Sequence, residues 1–215
     1  MKTTVYLTAL IGALIAGGFV RYLWDEPTVA VVEEVPVIIE PLIVYVDRVM
    51  SACNVTVLSP ARRSILANQI TRIAESSIKG RQEQEAFVLL LCIESKFDQR
   101  AKSPVGASGL AQVMPQFADG FGKQCGYEGL KGDDLQDSEV NLLIGACVFT
   151  HLVKQFDSIP IALAAYNAGA ASSSVKNLKA LTPGSAETTA YLAKHYVLRE
   201  RVGTNEQAEE RNTAK

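Results

Sequence analysis

The sequence predicts a mainly α domain over residues 60–200, with an apolar helix at 1–24 and an extended linker at 25–59 ahead of it, and a polar tail at 201–215 behind it. Three observations predict that class. Ser59-Pro60 pairs a good N-cap with a proline at the first helical position, and Ile65, Leu66, Ile70, Ile73 and Ala74 then recur at helical spacings. The stretch Ala86–Ile93 is apolar on every side, as suits a helix enclosed by others. Asp137–Phe156 reads as a long helix opened by Asp-Ser-Glu, whose charges suit the positive end of a helix dipole.

The elements follow in chain order. Behind Lys2, the stretch Thr3–Val20 is uncharged, about 18 residues and near the lower limit for spanning a bilayer. Arg21, Tyr22 and Trp24 make an interfacial cluster behind it. The favoured reading is an uncleaved anchor; Ala16, Gly17 and Gly18 leave a cleaved signal peptide open, and a buried core helix is a third reading. Either of the first two puts the remainder outside the cytoplasm: anchored to the inner membrane with the domain in the periplasm, or secreted. Residues 25–59 are rich in Val, Ile and Glu and carry Pro27, Pro36 and Pro41, so they read as linker with one short edge strand around Val37–Val46.

The first domain helix runs to about Ile78, where Lys79-Gly80 ends it, and a second spans Gln82–Phe97. A loop covers Asp98–Gly109. A short helix starts at Ala111 or Met114 and reaches Phe121, and Gly120–Gly132 is loop. After Asp137–Phe156, Pro160 opens a helix to Ala168, Gly184–Arg199 holds the last, and the tail from Gly203 is frayed. No internal repeat is present.

Composition narrows the function. With 48% hydrophobic and 20% charged residues the chain is ordinary for a globular protein, and its formal net charge of −2 gives no basic excess for nucleic acid. There is no CxxC pair, HExxH or GxxxxGK[ST], so neither a metal nor a cofactor is expected. An exported domain can oxidise Cys53, Cys92, Cys125 and Cys147. Cys125 with Cys147 is the favoured pair, joining a glycine-rich loop to the helix after it; four reduced, buried thiols are the alternative.

Glu94 is the most informative residue. In helical register it shares a face with Phe87, Leu90 and Leu91, near the helix C-terminus. Desolvation and the dipole both disfavour its charge there and raise its pKa, as a general acid near neutral pH requires. A glutamate reaching the surface at a helix end is the plainer reading. A glycosidase usually needs a second carboxylate. Asp98, one turn on, would stand beside Glu94 rather than across a sugar, and Asp133, Asp134, Asp137 and Glu139 read as loop and helix-start residues. Gly106-Ala-Ser-Gly lacks the nucleophile elbow that Ser108 would need, and His151 and His195 read as packing or surface residues.

These residues carry a family resemblance. Glu94-Ser-Lys-Phe-Asp followed by Lys102-Ser-Pro-Val-Gly-Ala-Ser-Gly-Leu-Ala-Gln-Val-Met-Pro115 resembles the signature of the soluble-lytic-transglycosylase domain of glycoside hydrolase family 23. Ala164-Ala-Tyr-Asn-Ala-Gly169 matches a second motif and Glu187-Thr-Thr-Ala-Tyr191, more loosely, a third; the resemblance covers about residues 62–198. It implies a lysozyme-like α fold and cleavage of the β-1,4 bond between N-acetylmuramic acid and N-acetylglucosamine, with peptidoglycan glycan strands as partner. It implies a one-acid mechanism: Glu94 protonates the glycosidic oxygen, then accepts the proton of the muramyl C6 hydroxyl, leaving a 1,6-anhydro end. It implies substrate contacts for Ser103, Gln112 and Met114, a hydrogen bond near the catalytic carboxyl for Tyr166 with Asn167 beside it, and a groove-lining pair in Glu187 and Tyr191. Ala111 stands where the family often has Met, and the run after Gly169 is atypical. A hydrolase of the same fold, or a non-catalytic glycan-binding protein, remains open, as does service in a secretion, conjugation or phage assembly. Membrane contact is expected through the N-terminal segment alone.

Overall fold

Eight α-helices and two 3-10 turns build the part of the chain described by the computed structural model, namely residues 40–55, 58–180 and 182–213, with side chains as far as Gly203. Ile39–Lys215 pack as one unit. The apolar segment at 1–24 and most of the linker lie outside the described residues. Among the described residues no helix is long and apolar enough to cross a membrane.

The first helix lies where the sequence reading placed linker and an edge strand. Helix α1, Leu42–Ala52, starts directly behind Pro41. Proline ahead of the first turn has no amide to lose to the helix, so Pro41 admits α1 rather than breaking it. Leu42, Tyr45, Val46, Val49 and Met50 are all buried, an inward stripe at helical spacing that the β-branched composition had disguised as a strand. The domain therefore begins before Ser59. Arg63 of α2 binds the Asp47 carboxylate at 2.7 Å and the Ser51 hydroxyl at 2.6 Å, tying α1 to its successor.

Helix α2, Pro60–Ser77, is capped by the Ser59 hydroxyl as anticipated. Helix α3, Arg81–Ser95, is the central element: Phe87–Leu91 have at most 1% exposure. Lys96 closes it in the left-handed conformation, and Phe97 behind it is buried. After a loop come a 3-10 turn at Pro115–Phe117, helix α4 at Ala118–Gln124, and a second 3-10 turn at Gly132–Gln136. The region read as loop from Gly120 thus carries regular structure at both ends. Helix α5, Ser138–Phe156, takes its N-cap from Asp137, which accepts from the Glu139 and Val140 amides. Its Phe149 stacks on Phe87 with ring centroids 6.0 Å apart, locking α5 onto α3. Helix α6 is Ile159–Ala168.

Helix α7, Ser173–Lys179, was not foreseen; Ser172 caps it by accepting from the Val175 amide. The last helix, α8, runs from Ala186 to Thr213, so the residues read as frayed tail continue the helix. Glu, Gln, Arg and Ala predominate there, all good helix formers, and Gly203 alone does not stop the run.

Both possible disulfides of this arrangement are formed. Cys125–Cys147 joins the end of α4 to α5, as expected, and Cys53–Cys92 joins the end of α1 to α3. The reading of four reduced thiols is set aside, because each pair is brought to bonding distance by helix packing.

Candidate active site

Glu94 sits in the last turn of α3, half buried, with the apolar body of the helix below it. Burial pushes its carboxyl above the usual carboxylate range; a hydrogen bond from Tyr191 opposes that push without cancelling it. The Tyr191 hydroxyl, on the first turns of α8, donates to Glu94 Oε1 at 2.7 Å. Tyr191 is itself buried, and burial together with the neighbouring carboxyl holds its hydroxyl in the protonated, donating form.

The resemblance assigned the hydrogen bond near the carboxyl to Tyr166. In the structure Tyr191 bonds the carboxyl itself, and Tyr166 bonds the backbone near it. Tyr166, near the end of α6, donates to the Ala111 carbonyl at 2.8 Å, yet lies close enough to feel the charge of Glu94, which adds to burial in raising its pKa. Helix register tells which face a tyrosine takes; it does not tell which of two inward hydroxyls arrives first.

Ala111 is gripped from both sides. Its amide donates to Asn141 Oδ1 at 2.8 Å while its carbonyl accepts from Tyr166. Asn141 also donates to the Ser108 carbonyl at 2.8 Å and the Leu135 carbonyl at 3.0 Å, so one fully buried amide is satisfied three times. A methyl on Gly109, which adopts φ +78, would overlap the Asn141 amide. On α5, a methyl on Gly145 would collide with the Ala111 methyl and press on the Tyr166 hydroxyl. Sequence reasoning missed Asn141. The available signal was a polar residue on the same stripe as Ile144, Gly145 and Phe149, all buried in the structure.

Next to the clamp, Gln112 is held at φ 49, a left-handed conformation that a side-chain-bearing residue adopts only when fixed by its surroundings. Gln112 Nε2 donates to the Gly109 carbonyl at 2.8 Å and the Ala101 carbonyl at 3.2 Å. Ser103 accepts from the Ala107 amide at 3.0 Å, closing the turn that carries Val105. Met114 is half buried where the chain enters the 3-10 turn. Asn167 and Glu187 are exposed, one in the last turn of α6 and the other in the first turn of α8.

Asp98, Asp134, Asp137 and Glu139 are engaged elsewhere, as their reading as turn and helix-start residues implied. Asp98 is exposed and accepts from the Arg100 amide at 2.9 Å. Asp134 and Asp137 bind backbone amides at the helix starts, and Glu139 pairs with Arg72 at 2.9 Å. A cleft of about 600 Å³ lies farther along α3 from Glu94, bordered by α1, α6 and α8, with His195 among its lining residues.

Fold and site together define a helical domain that holds a half-buried carboxylic acid at the end of its central helix, with a tyrosine on its carboxyl and a clamped loop beside it. The chain belongs to the transglycosylase SLT domain family, whose model matches residues 72–186. It is similar to the soluble lytic murein transglycosylase of Escherichia coli strain K12, 41% identical over 93 residues, which is 42% of this chain and 14% of that protein. The Salmonella typhimurium protein of the same name is 35% identical over 94 residues, again 42% of this chain and 15% of its own length. The match therefore spans about one seventh of those relatives. Among solved structures, an inactive mutant of lytic transglycosylase Slt from Pseudomonas aeruginosa shares the fold: TM-score 0.54 and 24% identity, covering 66% of this chain and 24% of that one.

Proposed function

We propose that the chain is a peptidoglycan lytic transglycosylase, with Glu94 as its only acid–base residue. The observation that carries this reading is a single carboxyl, half buried and held by Tyr191, with Asp98, Asp134, Asp137 and Glu139 engaged in turns, caps and a surface ion pair. The names of the matched relatives support the substrate, and the inactive Pseudomonas aeruginosa protein owes its form to a single Glu-to-Gln change.

The chemistry needs one group to act twice. With Tyr191 donating to Oε1, the proton of neutral Glu94 sits on Oε2 and faces the substrate. Glu94 gives that proton to the oxygen joining N-acetylmuramic acid C1 to N-acetylglucosamine, and the C1–O bond breaks as positive charge grows at C1. The resulting carboxylate then takes the proton of the muramyl C6 hydroxyl while O6 bonds to C1. The acid is regenerated, no water is consumed, and a 1,6-anhydro end remains. A raised pKa keeps the proton available at the start, and the Tyr191 hydrogen bond steadies the anion between the two steps. Gln112, Met114 and Ser103 belong to the glycan groove on this reading, with Asn167, Glu187 and Tyr166 along it. The two disulfides support work outside the reducing cytoplasm. A periplasmic domain anchored through residues 1–24 fits that setting.

Digestion of purified peptidoglycan followed by mass analysis tests the reading. Anhydro-muramyl ends, one water lighter than reducing ends, are expected. Reducing ends would replace the lyase by a hydrolase. No fragments, and no difference between the protein and Glu94→Gln, would leave a binding role.

A further inference from the structure

The buried His195 takes no part in the chemistry above, yet it lies one helical turn beyond Tyr191 on the inner side of α8. Both residues are buried there, with 7% exposure each. The Nε2 atom of His195 is 3.1 Å from the Ala86 carbonyl oxygen on α3. A carbonyl oxygen only accepts, so Nε2 carries the proton and donates. Ala86 lies two turns before Glu94, about 12 Å down the same helix. Helix α8 is thus fastened to α3 at two heights: Tyr191 to the acid, and His195 to the backbone beneath it. The lower fastening borders the cleft of about 600 Å³, where α8 has open space beside it rather than packed side chains. His195 lies within α8, with the cleft on one side and the buried Leu198 and Val202 beyond it, so its hydrogen bond is a directional fixing of α8 to α3 on the side where apolar packing is thinnest. His195 is neutral in the fold, since burial and Arg199 press its pKa down more than the Ala86 carbonyl raises it.

We infer that His195 is a positioning residue for the acid. Through its hydrogen bond to Ala86 it sets the rotation of α8 that presents the Tyr191 hydroxyl to Glu94. This rests on Glu94 being the reacting acid. Removing the His195 donor lets α8 turn into the cleft, lengthens the Tyr191–Glu94 bond and slows chemistry, while the groove that binds glycan stays as it is.

Four variants test it, all assayed on peptidoglycan as the full chain. His195→Leu lowers kcat about ten- to a hundredfold, the scale for an ångström of misplacement, with KM little changed. His195→Gln, whose Nε2 reaches as far as the imidazole's, recovers most of that loss; His195→Asn, one bond shorter, does not. The double variant His195→Leu with Tyr191→Phe is no slower than Tyr191→Phe alone, because both act through one hydrogen bond. A kcat for folded His195→Leu equal to that of the unchanged protein would overturn the inference. So would losses that multiply in the double variant, or equal loss in the Gln and Asn variants, since each marks a purely structural histidine. Glu94→Gln run alongside separates the two readings. If it stays active, the catalytic assignment falls and this inference with it; if it is dead while His195→Leu keeps full kcat, only this inference falls.

Discussion

Helix α1 and the segment Ala101–Met114 join the same core with different shares of apolar contact and hydrogen bonding. Leu42, Val46, Val49 and Met50 present an apolar stripe with at most 1% exposure, and one disulfide staples the end of the helix. The segment has a different grip: Asn141 and Gln112 with two hydrogen bonds each, Tyr166 and Ser103 with one each. Apolar contact is non-directional and tolerates any filling of the right volume. Hydrogen bonds fix the orientation of each peptide. The difference separates two tasks, holding the domain together and orienting the segment beside Tyr166, and the variants below are ways to test that separation.

The largest effect is expected from Glu94→Gln, which keeps the shape of the side chain and removes its proton chemistry; turnover falls by roughly 10²–10⁴ with folding intact by circular dichroism. Next comes the staple. Cys53→Ser with Cys92→Ser opens a link between residues 39 apart in sequence and costs about 4 kcal/mol on loop entropy, read from denaturant midpoints, with kcat preserved below the transition. The sharpest contrast pairs Leu42→Ala with Asn141→Ala. Each costs about 2–4 kcal/mol, one through a cavity and the other through orphaned backbone groups. Only Asn141→Ala lowers kcat/KM in protein that is still folded. Equal kinetic damage from the two would erase the distinction drawn here.

Of the two tyrosines, Tyr191→Phe lowers kcat at least as far as His195→Leu, and Tyr166→Phe has the smaller effect. Tyr166→Phe loses about 1 kcal/mol of stability and leaves the pH profile in place. Tyr191→Phe removes the bond that lowers the Glu94 pKa, so the alkaline limb of the rate profile, where the acid loses its proton, moves to higher pH. The smallest effect is thermodynamic. The Glu94 pKa is higher folded than unfolded, so ionisation destabilises the fold increasingly as pH rises between the two values. Glu94→Gln should therefore be more stable than the parent at alkaline pH, with the gap closing as pH falls below the unfolded value; a gap that widens in acid contradicts the raised pKa.

What the sequence made legible follows the same division. The phase of α3, the cap at Ser59, the acidic start of α5 and the Cys125–Cys147 pair were readable because each depends on neighbours or on one strong local signal. The raised pKa of Glu94 was readable from its place on an apolar stripe near a helix end. Helix α1 was hidden by Val, Ile and Pro, whose preferences point to strand and linker while burial of one face overrides them. Which of Tyr166 and Tyr191 bonds the carboxyl itself was hidden for a different reason. It depends on where α6 and α8 pass relative to α3, a long-range outcome that local spacing does not encode. Asn141 was missed because its partners lie 30 and 33 residues away in Ala111 and Ser108.

The Tyr191–Glu94 bond spans 97 residues, which has a consequence in time. A chain made from its N-terminus completes α3 long before α8 exists, and contacts this distant in sequence close late in folding. Until α8 docks, Glu94 lacks the hydroxyl that steadies its anion and the cover that helix gives. On the proposed function the acid is therefore armed by the last of the described helices to form, and a nascent or C-terminally clipped chain that carries the whole motif around Glu94 is expected to be inactive on peptidoglycan.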